Sequence, residues 1–597
     1  MIAEETKTAI KGSEFIVKDT EAANVFIPEE YTEEQKMIYK MCQDFLDQEV
    51  YPKIERLDEL EEGLMPSVLD KAAELGLLGL SIPFEYGGME MGFISSQLVA
   101  EATGAGNAFA VAISAHCGIG TLPILYYGNE HQKATYLPKI ATGEWKACYC
   151  LTEPNSGSDA NSGKTKAVLS DDGSHYTLNG QKMWITNAGF ADVFTVFAKI
   201  GNDKTLSAFI VDKTMDGIEL NTEEKKMGIK GSSTRQVFFN NVKVPVENLL
   251  GQREEGFKIA LNILNIGRVK LGASAIGASK KVISRGIQYS GEREQFGIPI
   301  SRYGAIQSKI AEQAIRNYAG ESAVYRVCKD IEDRIEQLVE NGIEKGDAYL
   351  ESIEQFASKC AIMKVHGSEV LDYVVDEGVQ IYGGMGYSAE APMERAYRDA
   401  RINRIYEGTN EINRMVIVDI ILKRAMNGDI DLMSAAMNVA KELMSIPNAN
   451  ADTKSLFSPE KQYVKSYKKA VLMVLGAAAK QLGKCLKEEQ EILMNIADMI
   501  IETYVCESVL LRVEKLSSIR GEDAFATQIA IMLSYIYNAS DKINKSGKDA
   551  LNSFAQGDEL RVMLMGIKRY TKHEPYNVKN ARRIIADRLI GEAKYCF

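Results

Sequence analysis

Arg401-Ile-Asn-Arg-Ile-Tyr-Glu-Gly-Thr-Asn-Glu-Ile-Asn-Arg414 places one carboxylate, Glu407, between the apolar pair Ile405-Tyr406 and the turn Gly408-Thr409. Desolvation from the apolar side raises a carboxylate's pKa and strengthens it as a base. Gly408 lets backbone approach a ligand closely, and Thr409 offers a hydroxyl beside it. The plain alternative is a helix end carrying a solvated glutamate, the common fate of Glu. The segments upstream weigh against that alternative.

Working outward, the periodicity changes twice. Thr32-Glu-Glu-Gln35 has the pattern of a capping box, and Met37, Ile38, Met41, Phe45 and Leu46 follow at helical spacing. Helical pattern continues through Val68, Leu69, Ala72 and Leu75, pauses at the loop Ile82–Gly88, and resumes to about Tyr136. From about Ala147 the period becomes strand-like: Val193–Ala198, Leu206–Val211 and Gln236–Phe239, with Asp171-Asp-Gly173 and Asn179-Gly180 as turns between such segments. Helical pattern returns beyond Gly256 and breaks at Asn427-Gly428. The expected organisation is an N-terminal arm, 1–29, loosely held; a helical domain, 30–147; a β domain, 148–255; a helical domain, 256–427; and a helical extension, 428–597. Within the extension, Pro447–Lys461 reads as a linker, and Ala470–Cys485 and Glu491–Leu516 as long helices.

Bulk composition narrows the function classes. At 597 residues the chain needs several cores, and 45% hydrophobic with 25% charged residues is ordinary for a globular protein. A net charge of -12 with no long basic block argues against a nucleic-acid partner. Nine scattered Cys read as reduced thiols, Cys148-x-Cys150 lacks zinc spacing, and the five His form no ligand pattern, so no metal is expected. The N-terminus resembles neither a secretory signal nor a transit peptide, and there is no run of eighteen apolar residues. The expectation is a cytoplasmic, bacterial protein without a transmembrane segment. Gly104-Ala-Gly106 lacks a third glycine and sits in helical pattern, so it is no Rossmann fingerprint.

Separated motifs resemble, in order and spacing, those of the acyl-CoA dehydrogenase family. They are Tyr149-Cys-Leu-Thr-Glu-Pro-Asn-Ser-Gly-Ser-Asp159, Gln181-Lys-Met-Trp-Ile-Thr-Asn187, Glu292-Arg-Glu-Gln-Phe-Gly297, and Gln380-Ile-Tyr-Gly-Gly-Met-Gly386 leading into the Glu407 segment. The likeness covers about 30–427, and the extension resembles the very-long-chain branch. It implies a mainly α fold with a central β domain: an N-terminal helical domain, a middle β-barrel-like domain and a C-terminal four-helix bundle, plus the additional C-terminal helical domain. It also implies FAD, and α,β-dehydrogenation of a fatty acyl-CoA in β-oxidation.

By that resemblance Glu407 is the catalytic base. Its own backbone N–H and a flavin ribityl hydroxyl would hold the thioester carbonyl. Some relatives draw the base from the helix around Leu264–Arg268, where this chain has Gly267. The resemblance implies flavin contacts from Tyr149, Leu151, Thr152, Trp184 and Thr186, with Trp184 as a wall excluding water. Gly157 and Ser158 would lie where cofactor phosphate meets CoA. Arg293, Gln295 and Phe296, with Gln380, Gly383 and Gly384, would reach the FAD of a neighbouring subunit, where an Arg fork suits a diphosphate. Thr409 and Glu411 take adenine-side positions, although many relatives carry an amide at the latter. Asn265, Arg268, Tyr406, Glu407, Gly408 and Ser158 are the substrate-side set, Arg268 by adenine stacking or phosphate contact. Arg398, Asp399 and Arg401 read as a structural ion-pair network.

The small residues of Ala108–Gly120 would floor the acyl cavity and leave room for medium-to-very-long chains. The apolar stripe Leu432, Met433, Ala436, Met437, Val439, Ala440, Leu443 and Met444 is expected to pack on the core, with peripheral membrane contact as the other reading. Expected partners are the acyl-CoA, an electron-transfer flavoprotein and a second copy in a homodimer. An acyl-CoA oxidase, or a non-catalytic assembly or binding role on the same fold, stands as the alternative.

Overall fold

The computed structural model describes residues 10–443, 456–520 and 525–597. The N-terminal helices are α1 (Glu33–Phe45), α2 (Leu64–Glu74), α3 (Phe93–Thr103), α4 (Ala108–Ala115) and α5 (Glu130–Ala141). The capping box at Thr32 forms as read: the Thr32 hydroxyl accepts from Gln35 N at 3.1 Å, and the Gln35 amide accepts from Thr32 N at 3.1 Å.

The sheet comprises β1 (Ala147–Cys150), β2 (Lys166–Leu169), β3 (His175–Thr186), β4 (Val193–Ile200), β5 (Ser207–Asp212), β6 (Ile218–Leu220), β7 (Thr234–Pro245) and β8 (Leu249–Leu250). Its order is β6-β7-β3-β2-β4-β5-β8, with β1 parallel to β4. Alternation along β1 sends Cys148 and Cys150 into the β core, while Tyr149 and Leu151 face the helices. Asp171–Gly173 is the β2–β3 turn, but Asn179-Gly180 is not a turn. It lies inside β3 at a register shift against β7, and a Cβ on Gly180 would meet the Thr165 hydroxyl at 2.4 Å. Close backbone approach, not chain reversal, explains that glycine.

Next come α6 (Gly256–Glu292), α7 (Gly304–Glu340), α8 (Ala357–Tyr382) and α9 (Asn410–Met426), packed as a bundle. The extension supplies α10 (Leu432–Leu443), α11 (Ser458–Leu482), α12 (Gln490–Arg520), α13 (Ala526–Phe554), α14 (Gly557–Tyr570) and α15 (Val578–Glu592). Helix α12 lies on α7 and α9, and α15 lies on α7, so the extension shares one apolar core with the bundle. Helix α10 buries Leu432, Ala436 and Val439 but exposes Met433, Met437 and Ala440; its stripe is narrower than expected. Met444 and most of the Pro447–Lys461 segment lie outside the described residues.

The arm is not loose over residues 10–29. Phe15 and Ile16 are fully buried, and Phe15 meets Tyr504 edge-on at 4.8 Å. Glu29 pairs with the buried Arg512 guanidinium at 3.0 Å, which also reaches Glu321 at 2.7 Å. The arm's apolar residues are few and aperiodic, so their burial depends on the extension closing over them.

Two helical stretches, Ala108–Tyr127 and Gly256–Glu292, are long and apolar enough to cross a membrane by composition, yet the most apolar window of each is mostly buried inside the fold.

Candidate active site

Glu407 sits in a turn between the short 3-10 helix Arg401–Arg404 and α9. Both Glu407 (φ 59°) and Gly408 (φ 79°) are left-handed. For a non-glycine residue that conformation costs about 1–3 kcal/mol and persists only where neighbours hold it. Here they do. The Asn413 side-chain amide donates to the carbonyls of Glu407 (3.2 Å), Gly408 (2.8 Å) and Thr409 (3.1 Å). Arg268 Nε, from α6, donates to the same Glu407 carbonyl at 3.3 Å, and its Nη1 donates to Asn265 Oδ1 at 2.7 Å. Thr409 is the N-cap of α9, its hydroxyl accepting from Ile412 N at 3.2 Å. The Tyr406 hydroxyl donates to Asn403 at 2.9 Å.

This turn aims the carboxylate at α6. A Cβ built on Gly267 would lie 3.0 Å from Glu407 Oε2, so any larger residue there would press on the carboxylate. Glu407 Oε2 is buried and has no hydrogen-bond partner among the described residues. Burial pushes the Glu407 carboxyl up to about 7, against an opposing pull from Arg268 and Lys364. Lys364 on α8 donates to Asn410 Oδ1 at 2.7 Å, and burial pushes its ammonium down to about 7 despite the Glu407 charge. The Tyr149 hydroxyl, also buried without a partner among the described residues, is held well above its usual range by burial and by Glu407. The arrangement is a desolvated base, unpaired at one oxygen and locked at its backbone.

From Glu407 a cavity runs along α6 past Gly267, Leu271, Ser274 and Ala278 to Val282. Fifteen residues of helix make this about 22 Å. The facing wall is Ala110, Val111, Ser114 and Ala115 of α4 with Gly118 and Ile119, so the Ala108–Gly120 stretch does line it. Asn107, just before α4, donates to the part-buried Asp399 carboxylate at 3.1 Å, which also accepts from Ile229 N. That strap ties the α4 wall of the cavity to the segment carrying Glu407. Asp399 is therefore not a member of an ion-pair network with Arg401; Arg398 pairs instead with Glu394 at 2.7 Å. No cluster of metal-ligating side chains occurs among the described residues.

Comparison with known proteins accounts for this layout. Family profiles described as acyl-CoA dehydrogenase match residues 32–144 (N-terminal domain), 148–242 (middle domain), and 254–422 and 466–569 (both C-terminal domain). The chain belongs to the acyl-CoA dehydrogenase family. It is 44% identical to a probable acyl-CoA dehydrogenase of Bacillus subtilis over 98% of both chains. It is 38% identical to the mitochondrial very long-chain specific acyl-CoA dehydrogenase of Rattus norvegicus, over 66% of this chain and 56% of that one. Among solved structures, an acyl-CoA dehydrogenase complexed with FAD from Bacillus anthracis superposes with a TM-score of 0.96 at 45% identity, covering 99% of this chain and all of that one. The mainly helical architecture with a central sheet and an added C-terminal helical region is that of an acyl-CoA dehydrogenase.

The motif residues fall into two groups in this acyl-CoA dehydrogenase. Near Glu407, Thr186 lines the cavity at the end of β3. A bulge between Lys182 and Ile185 turns Trp184 out of the sheet at φ 61°, leaving its ring half exposed rather than sealed. Leu151 is buried and Thr152 part-buried, the Thr152 carbonyl accepting from Met183 N at 2.9 Å. Gly157 and Ser158 lie in an exposed loop shaped by buried Glu153, which pairs with Lys182 at 2.7 Å and accepts from the backbone of Lys164 and Thr165.

The second group is distant. Arg293, Gln295 and Phe296 occupy an exposed hairpin after α6, with Phe296 96% exposed. Gln380, Gly383 and Gly384 are exposed at the end of α8. Tyr289 stacked on Tyr382, with centroids 4.0 Å apart, holds the two together. They stand about 39 Å along α6 from Gly267.

Arg268 is buried, with Nε on the Glu407 carbonyl and Nη1 on Asn265, so it helps to hold the turn. Thr409 is committed to capping α9. Glu411 stands exposed in that helix's first turn, its carboxyl lowered by its own N–H and by Thr409. Asn413, Lys364 and the Glu153–Lys182 pair escaped the sequence reading. Asn413, Glu153 and Lys182 all sit inside the quoted motifs, whereas Lys364 lies outside them.

Proposed function

We propose that the protein binds FAD and converts fatty acyl-CoA thioesters to trans-2-enoyl-CoA, with Glu407 removing the α-proton. The carrying observation is the buried Glu407 Oε2, unpartnered and facing a cavity. A carboxyl raised to about 7 is a strong base still ionised in good part near neutrality. The Glu407 N–H is assigned to the thioester carbonyl, where a positioned donor stabilises developing enolate charge.

The residues fit FAD. The half-exposed Trp184 ring and Thr186 offer a flat, partly polar wall, and a Cβ at Gly157, Gly383 or Gly384 would meet nothing within 4 Å, leaving those turns open to a ligand. Leu151, Thr152, Trp184 and Thr186 would hold the ring, and Gly157 and Ser158 the phosphate side. When bound, the flavin supplies the hydride acceptor at N5.

The separation of the second motif group from Glu407 favours a homodimer in which Arg293, Gln295, Phe296, Gln380, Gly383 and Gly384 serve the cofactor of the other copy. An aromatic left 96% exposed at a hairpin apex suits that role. A cavity about 22 Å long along α6 supports medium-to-very-long acyl chains. Electron-transfer flavoprotein as acceptor, β-oxidation as the setting and the cytoplasm as the location complete the reading.

The test is Glu407→Gln. The variant should retain yellow cofactor and bind acyl-CoA, yet lose anaerobic flavin bleaching by at least a thousandfold. Bleaching at a comparable rate would remove Glu407 from the reaction. Stoichiometric hydrogen peroxide during aerobic turnover would make the enzyme an oxidase instead.

A further inference from the structure

Lys270 is a buried cation that the dehydrogenation chemistry does not use. It lines the cavity on α6, one turn past Gly267, and is only 7% exposed. Among the described residues it donates no hydrogen bond and forms no ion pair; the titratable group that acts on it is the Cys117 thiol, itself donating to the Leu77 carbonyl. Of the other charged groups lining the cavity, Glu407 is the proposed base and the rest have neighbours. Lys281 faces Asp47 at 3.5 Å, Arg285 lies over the Tyr51 ring at 5.4 Å, and Asp399 accepts from Asn107. Walls of alanine, leucine and glycine strip water from the ammonium without replacing its hydrogen bonds, and burial lowers its pKa accordingly. An unsubstituted alkyl chain would remove the remaining water and return nothing.

We propose that Lys270 is a specificity-determining residue that takes the terminal carboxylate of an α,ω-dicarboxylyl mono-CoA thioester, a reading that rests on Glu407 marking the reacting carbons. One helical turn is about 5 Å, and the lysine stem adds a similar reach. The carboxylate then falls roughly 5–10 Å from the α-carbon, which corresponds to chains of about six to ten carbons. Longer unsubstituted chains pass the lysine and continue toward Val282.

The experiment compares adipyl-, suberyl- and sebacyl-CoA with hexanoyl-, octanoyl- and decanoyl-CoA, using steady-state reduction of an artificial electron acceptor by the holoenzyme, with anaerobic flavin bleaching as the single-turnover check. In the wild-type enzyme the KM of at least one dicarboxylyl-CoA should be at or below that of its matched acyl-CoA. Tenfold weaker binding of all three overturns the proposal, whatever the variants do. In Lys270→Met the dicarboxylyl-to-acyl ratio of kcat/KM should fall at least tenfold, mostly through KM, and Lys270→Arg should restore much of it. A ratio unchanged in K270M, or equal loss on both series together with loss of bound FAD, assigns Lys270 to the fold or cofactor and refutes the idea. If no acyl-CoA of either series bleaches the flavin, the failure lies with the dehydrogenase reading and not with Lys270.

Discussion

Gly267→Ala tests the geometry of the base directly. The added methyl would stand 3.0 Å from Glu407 Oε2, 3.1 Å from Cδ and 3.2 Å from Oε1. Those separations are several tenths of an ångström inside comfortable contact, and the obstructing group is the end of a side chain anchored by a clamped backbone. Stability should change little. Alanine gains about 1 kcal/mol over glycine in a helix interior, while overpacking costs about 1–3 kcal/mol. The rate should change much more, because a displacement of about 1 Å from productive geometry costs about a hundredfold, and half that displacement about tenfold. The methyl also removes solvent from the carboxyl, so the acid limb of the pH–rate profile should move above 7. Stopped-flow flavin reduction under anaerobic conditions gives the rate, and a thermal melt with FAD content gives stability. A reduction rate within twofold of wild type, with an unmoved acid limb, would show that Glu407 does not work across the gap facing Gly267.

Two further outcomes follow from the same structure. Because Glu407 must be ionised to act, kcat/KM should rise with pH through a midpoint near 7; its folded pKa of about 7 lies above the ordinary 4.5, so its stabilising contribution is complete below 4.5 and lost as pH rises through 7, and Glu407→Gln should stabilise the fold by up to about 3 kcal/mol at pH 8 but not at pH 4, read by urea unfolding. Phe15→Ala should cost about 3–5 kcal/mol in the same assay through a cavity against Tyr504, and a loss below 1 kcal/mol would mean that the arm is not part of the core.

Local pattern in the chain was enough to place the helical and strand-rich stretches, three of the eight strands of the sheet and the candidate base. Helical and strand periods repeat within a few residues, and a cap such as Thr32 with Gln35 is complete within one turn. The family motifs were equally legible, because each is a short run whose residue types suit one task. What a side chain faces was not legible. Arg268 and Glu407 meet across 139 residues of sequence, and no local pattern announces that Arg268 clamps the turn. The same holds for the left-handed turn at Glu407, the buried arm, the glycine inside β3 and the stranded ammonium of Lys270. Burial and pKa are sums over neighbours in space, and only the folded chain decides which neighbours those are.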